Sequence, residues 1–287
     1  MTSPGTGVGH GKLILCGEHA VVYGHPALAF AVTLSTTVQL RPHQGPTVID
    51  SPHADPRVRD ALCTVLPTEG IRAFVRTEVP VGRGMGSSAA LAVAVVRAQH
   101  PELEGQALID AAMPIERAFH GNPSGLDVAV SALGGGLSFR KGPPMEMQPL
   151  ELGDWHIVVL DSGSPGDTRA QVAGVAARRP DIDVHLERIG ALVAEARNVL
   201  HDAPALGALL DENHALLRAI GVSTPALDDL VDMARGAGAL GAKLAGAGGG
   251  GVVLALCADP TPVLDAARAR GIAALPARPA PRHGAHP

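Results

Sequence analysis

The stretch "VGRGMGSSAALAVAVV" (81–96) sets three alternating glycines ahead of two serines and a nearly uncharged run of Ala and Val. It is not a Walker A loop, because no Lys follows the last glycine and the spacing differs. It also departs from a dinucleotide fingerprint. Ser87 stands where the third glycine belongs, Pro80 interrupts the preceding strand, and the stretch lies far from the N-terminus. The chemistry still points to an anion. Glycines let the backbone turn tightly and bring amide N–H groups close to a ligand. A helix beginning there, capped by Ser87 or Ser88, would aim its unpaired N–H groups and the positive end of its dipole back at the loop. A tight turn with an ordinary serine cap reads the same way in isolation, so the rest of the chain decides.

The 287 residues suffice for two modest domains or one large one. Hydrophobic residues make up 46% and aromatics 2%, so the core is built from Ala, Val and Leu, and base-stacking platforms are excluded. A net charge of −5 argues against a nucleic-acid footprint without opposing local phosphate binding. Cys16, Cys63 and Cys257 are isolated, and the 13 histidines form no HExxH or HxH cluster. Neither a disulfide framework nor a zinc site is indicated, and a reducing cytoplasm is the expected compartment. No apolar run is long enough to span a bilayer, and the N-terminus has no signal-peptide core.

Periodicity predicts strands at 12–17, 27–41, 71–80, 155–163 and 251–259. Helices are expected at 55–66, 87–99, 104–121 with a kink or break at Pro114, 125–135, 168–177, through 181–219, at 224–236 and at 260–272. Residues 48–56 read as a loop, and the Pro-rich tail 276–287 as frayed. The pattern is α+β, with a domain boundary near Gly166.

Three glycine-rich segments lie far apart, at 9–24, 82–86 and 246–251, the last with Gly246, Gly248, Gly249 and Gly250. Lysine is scarce. The chain has only Lys12, Lys141 and Lys243, and two of these border glycine segments, where a compact ammonium is useful. Glu18 and His19 end an apolar strand. Glu116 falls in a helix, and Asp127 in the first turn of the next one, after "GNPSG". Phosphoryl transfer needs a metal ligand and a group that takes or orients the acceptor's hydroxyl proton. A surface Glu and a helix-start Asp would read alike from these residues alone.

The order of motifs goes further. "GKLILCGEHAVVYGHPALA", "PVGRGMGSSAA" and "KLAGAGGGG" resemble the three motifs of the GHMP kinases, in family order and across almost the whole chain. "HGNPSGLDVAVSALGG" and "GDTRAQVAGV" look like the mevalonate kinase branch. The resemblance implies a ribosomal-S5-like N-terminal domain (1–165) and a ferredoxin-like C-terminal domain (166–287), with the site between them. It implies ATP and Mg²⁺ as cofactors and mevalonate as the acceptor, with no nucleic-acid or membrane partner, and it is compatible with a homodimer.

By the same resemblance Asp127 is the catalytic base and Lys12 its partner. Gly82, Arg83, Gly84, Met85, Gly86, Ser87 and Ser88 hold the ATP phosphates. Glu116 and Ser88 are Mg²⁺ ligands, and Glu18, His19 and Thr168 lie on the substrate side. Ala245 departs from the family's usual Thr or Ser, which removes one hydroxyl from the third motif.

Overall fold

A computed structural model of the chain describes residues 5–51, 56–120 and 123–283. The N-terminal layer is organised by one long strand. β1 (Gly5–Cys16) runs antiparallel along β2 (Pro26–Pro46). The other edge of β2 takes β4 (Glu69–Thr77) over its later residues and β5 (Gly136–Arg140) over its first. β3 (Val48–Asp50) lies parallel to β4, and β6 (Glu146–Leu150) adds to β5. The expected loop at 48–56 therefore begins as a short edge strand. Residues 52–55 of it lie outside the described residues.

α1 (Pro56–Cys63), α2 (Ser87–Gln99), α3 (Gly105–His120) and α4 (Leu126–Leu133) belong to this layer. The alternating glycines of β1 explain how α2 docks. A Cβ on Gly9, Gly7 or Gly5 would stand 2.0, 2.1 or 1.8 Å from the carbonyl oxygens of Ala90, Ala94 and Ala98. Two strand residues advance about 6.6 Å and four helix residues about 6 Å, so strand and helix stay in step. The bare strand backbone lies directly on the helix, and Ala89 to Val96 are all buried. α3 passes through Pro114 without the expected break. Ala112, Ile115 and Glu116 on either side are buried, and this packing holds the helix across the missing N–H.

The second layer is the sheet β10-β7-β9-β8, built from β7 (His156–Asp161), β8 (Gly241–Ala245), β9 (Val252–Cys257) and β10 (Ala274–Ala277), antiparallel throughout. With it go α5 (Thr168–Ala177), α6 (Asp183–Asn198), α7 (Ala203–Ala219), α8 (Pro225–Gly236) and α9 (Thr261–Ala269). β7 precedes Gly166 and is already a strand of this sheet. The layers share a core in which Leu13, Leu15 and Phe30 meet Trp155, Leu192 and Leu210. The Trp155 ring meets Phe30 edge-on at 5.7 Å, and its Nε1 donates to the Leu200 carbonyl at 2.8 Å. No helix among the described residues is long and apolar enough to cross a membrane.

Over residues 276–283 the tail corrects the expectation of fraying, and residues 284–287 of it lie outside the described residues. Beyond β10 the chain crosses back to the first layer. Thr33 N donates to Arg278 O at 2.9 Å, Ala280 N to Ala31 O at 2.8 Å, and His283 N to Leu133 O at 2.9 Å. Proline fits such an edge, because it withholds only a donor that an outer strand does not need. Arg97 fixes the end. It donates to the carbonyls of Val8 (2.6 Å) and Ala132 (2.7 Å) and meets His283 Nε2 at 3.1 Å, while His283 stacks on His10 at 5.3 Å.

Burial, then Arg97, then His10 push the His283 pKa down from 6.5 to about 4. Between these values the unfolded chain binds a proton that the folded chain does not, so stability falls as pH falls through that window. His283→Gln should flatten the pH dependence of the melting temperature between about 6.5 and 4. Parallel curves for parent and variant would remove His283 from this role.

Candidate active site

The phosphate-type loop has its three alternating glycines in the left-handed region, with φ of 72° at Gly82, 78° at Gly84 and 73° at Gly86. α2 starts directly from Gly86 with no side-chain cap, so neither serine caps it as expected. The Ser88 hydroxyl instead lies 3.2 Å from Glu116 Oε1, to which it donates, and 3.0 Å from His120 Nε2. Met85 is fully buried and anchors the loop in the shared core. Its carbonyl accepts from Lys12 N at 2.9 Å.

The Lys12 ammonium donates to Gly84 O at 3.1 Å and lies 3.3 Å from Asp127 Oδ2. Asp127 stands in the first turn of α4, whose cap Gly125 has φ of 91°. Sequence segments at 12, 84 and 127 thus meet at one point. Loop, pair and both layers enclose a cavity of about 980 Å³, lined by Gly82, Gly84, Gly86, Ser87, Ser88, Glu116 and Asp127. His19, Lys141, Thr168 and Gly246 also line it.

Glu116 is a buried carboxyl. Burial first, then the nearby Asp127 charge, raise its pKa to about 8. Its Oε2 is buried without a hydrogen-bond partner. A buried oxygen without a partner carries a desolvation cost that a cation would remove. His120, one helical turn after Glu116, is 3.6 Å from its Oε1. Sequence reading passed over it, although the i, i+4 spacing puts both on one helix face.

Glu18 lines the cavity, but both its oxygens are engaged. Oε1 pairs with the fully buried Lys243 in a very short contact, and Oε2 accepts from Asn213 Nδ2 at 3.1 Å. Lys243 also donates to Ile14 O at 3.2 Å. Nothing in the local sequence marks Asn213. His19 takes φ of 60°, and its Nε2 lies 2.9 Å from Ala247 O. Burial lowers its pKa, so a neutral ring donating from Nε2 is the assigned tautomer. Thr168 opens α5 after Asp167, whose side chain caps Ala170 N at 3.0 Å.

Arg83 turns away from the cavity. Its Nε lies 3.1 Å from Asp161 Oδ2 at the end of β7, so what it offers the cavity is backbone. The third motif meets this loop backbone to backbone. A Cβ on Gly246 would stand 3.2 Å from Gly84 O, and one on Gly248 only 2.1 Å from Val222 O. Gly249 N donates to Val222 O at 2.8 Å, and Gly250 passes against Pro165. Ala245 is buried at the end of β8, with its carbonyl turned toward Gly84.

Residues 56–135 match the GHMP kinases N terminal domain, and residues 190–273 match the GHMP kinases C terminal domain. The chain belongs to the GHMP kinase family. The mevalonate kinase of Pyrococcus abyssi is 37% identical over 291 residues, covering 85% of this chain and 86% of that one. Among solved structures, mevalonate kinase from methicillin-resistant Staphylococcus aureus is 31% identical with a TM-score of 0.72, covering 96% and 98% of the two chains. The L. major mevalonate kinase in complex with R-mevalonate is 26% identical with a TM-score of 0.83, covering 97% and 99%. The mixed α/β architecture is the GHMP kinase fold, with its two family domains in the expected order.

Lys243→Met would leave the buried Glu18 carboxylate with Asn213 as its one partner. Breaking a buried pair costs about 3–5 kcal/mol, and removing both charges is far milder. Urea denaturation should show that loss in Lys243→Met and recover much of it in Glu18→Gln/Lys243→Met. Equal losses in the two variants would mean that the pair is not the source.

Proposed function

We propose that this chain transfers the γ-phosphoryl group of ATP to the C5 hydroxyl of (R)-mevalonate, forming 5-phosphomevalonate, with Asp127 as the base. The observation that carries the reading is the Lys12–Asp127 pair, which faces a cavity whose other wall is a left-handed glycine loop at a helix N-terminus. The names of eight relatives at 33–37% identity, each a mevalonate kinase, supply the acceptor.

The residues divide the work. Backbone amides of 82–88 and the N-terminus of α2 receive the ATP phosphates. Asp127 accepts the proton of the attacking hydroxyl, and the Lys12 ammonium stabilises the oxygen as it loses that proton. Because Lys12 is also bonded to Gly84 O, it sets the distance between acceptor and phosphate loop. His19 and Thr168 face the acceptor. Glu18 supports that wall from behind, through Lys243 and Asn213. Closure between two layers keeps water from competing with the acceptor.

Glu116 and Ser88 fit a divalent cation. A buried oxygen without a partner and a hydroxyl make a hard oxygen donor set of the kind Mg²⁺ takes alongside nucleotide phosphates. When bound, Mg²⁺ would neutralise charge on those phosphates. The division of the chain at 165/166 belongs to this reading, with β7 lent to the second sheet.

The experiment is ADP release with ATP and (R)-mevalonate, homoserine or galactose, with the product located by phosphorus NMR. Turnover of mevalonate alone, with phosphate on C5, is expected. Turnover of homoserine or galactose without mevalonate, or phosphate on C3, would overturn the acceptor. Asp127→Asn should lower kcat by roughly 10²–10⁴ while leaving ATP affinity nearly intact. Near-parental kcat in that variant would remove Asp127 from the base role.

A further inference from the structure

The geometry points to Lys141 as the residue that binds the acceptor's carboxylate. The inference rests on the mevalonate reading and assigns a partner to the one acceptor group that the reading leaves unmatched.

Lys141 directly follows β5 and lines the same cavity as Lys12 and Asp127. The preceding residue, Arg140, pairs with Pro26 and donates from Nε to Gly24 O at 3.1 Å. This holds Lys141 beside the 3₁₀ turn Ala20–Tyr23, which follows His19. A few residues on, Met145 packs on Gly125, the cap of the helix that carries Asp127. The segment 141–145 therefore bridges the turn beside His19 and the start of α4. On the mevalonate reading, this places it on the acceptor's side of the Lys12–Asp127 pair.

Three cations in or beside the cavity are committed. Lys12 is held by Asp127 and Gly84 O, Lys243 by Glu18, and Arg83 by Asp161. Lys141 is half-buried, and among the described residues it has no hydrogen-bond or ion-pair partner. An ammonium drawn partly out of water gains from an anion, and a ligand carboxylate supplies one. Arg169 also lines the cavity, but it is exposed at the start of α5 and keeps its hydration. A chain that uses 20 Arg and three Lys thus has two lysines lining this cavity and the third directly behind its wall.

Initial rates with ATP are compared for the parent, Lys141→Met, Lys141→Arg and Arg169→Met. The acceptors are (R)-mevalonate and 3-methylpentane-1,3,5-triol, which keeps the hydroxyls and lacks the carboxylate. Loss of a charge-assisted contact should raise the mevalonate KM of Lys141→Met roughly 10- to 100-fold. The KM for ATP and the kcat/KM for the triol should stay at parental values, so the preference for mevalonate over triol collapses. Lys141→Arg should recover much of the loss, which a packing defect would not allow. An unchanged mevalonate KM in Lys141→Met, an equal rise in the KM for ATP, or a loss confined to Arg169→Met would overturn the assignment. A parent without mevalonate turnover would instead defeat the function on which the inference rests.

Discussion

Glu18 and Lys243 form a buried ion pair across the junction of the two layers, one at the end of β1 and the other in β8. Each charge alone would cost several kcal/mol to bury, so the layers reach low energy only in the register that joins them. That register places His19 against Ala247 O, Gly246 against Gly84, and Gly166 N on Gly82 O at 3.2 Å. The cavity is therefore a consequence of docking. Its glycine loop is held by backbone contacts from the second layer, and its acceptor wall by a pair that no ligand has to form.

The allocation of cations follows the same logic. Arginine, a planar fork that stays charged, does long-reach structural work: Arg97 bonds β1, α4 and the returning tail, and Arg83 ties the glycine loop to β7. Lysine is kept for compact contacts at the site. The ammonium of Lys12 can touch Gly84 O and Asp127 together because it is small and its three donors rotate. A guanidinium there would crowd Gly86, where a Cβ would already stand 2.9 Å from the Lys12 side chain.

Much of this was legible in advance. The order of three glycine motifs identified the fold, and the bounds of α2 follow from its Ala/Val run. The scarcity of lysine marked Lys12 and Lys243. What escaped reading was set by tertiary contact. Ser87 and Ser88 look like caps by local chemistry, but the loop enters α2 through a left-handed Gly86, and the Ser88 hydroxyl is drawn to Glu116. Pro114 looks like a kink or a break, and the break does not occur, because buried neighbours on both sides hold the helix. The tail looks frayed by composition, but Pro276 sits on the outer strand β10 and the Arg278 and Ala280 carbonyls meet the first layer. The partner of Glu18 lies 225 residues away, beyond any local pattern.

Two carboxyls share the phosphate end of the cavity, and burial gives them different tasks. Asp127 is about a third exposed and lies against Lys12, so its charge is compensated within the protein. Glu116 is sealed beneath Ser88 and His120, and the Asp127 charge beside it disfavours a second one. Lys12 is committed to Asp127. Near neutral pH the charged form of Glu116 is therefore disfavoured, and positive charge arriving with the ligand would favour it. Under the proposed roles, the base is ready beforehand and the ligand-side carboxylate is completed on binding. That division suits a reaction whose nucleophile is a neutral alcohol and whose co-substrate is a polyanion needing a counterion.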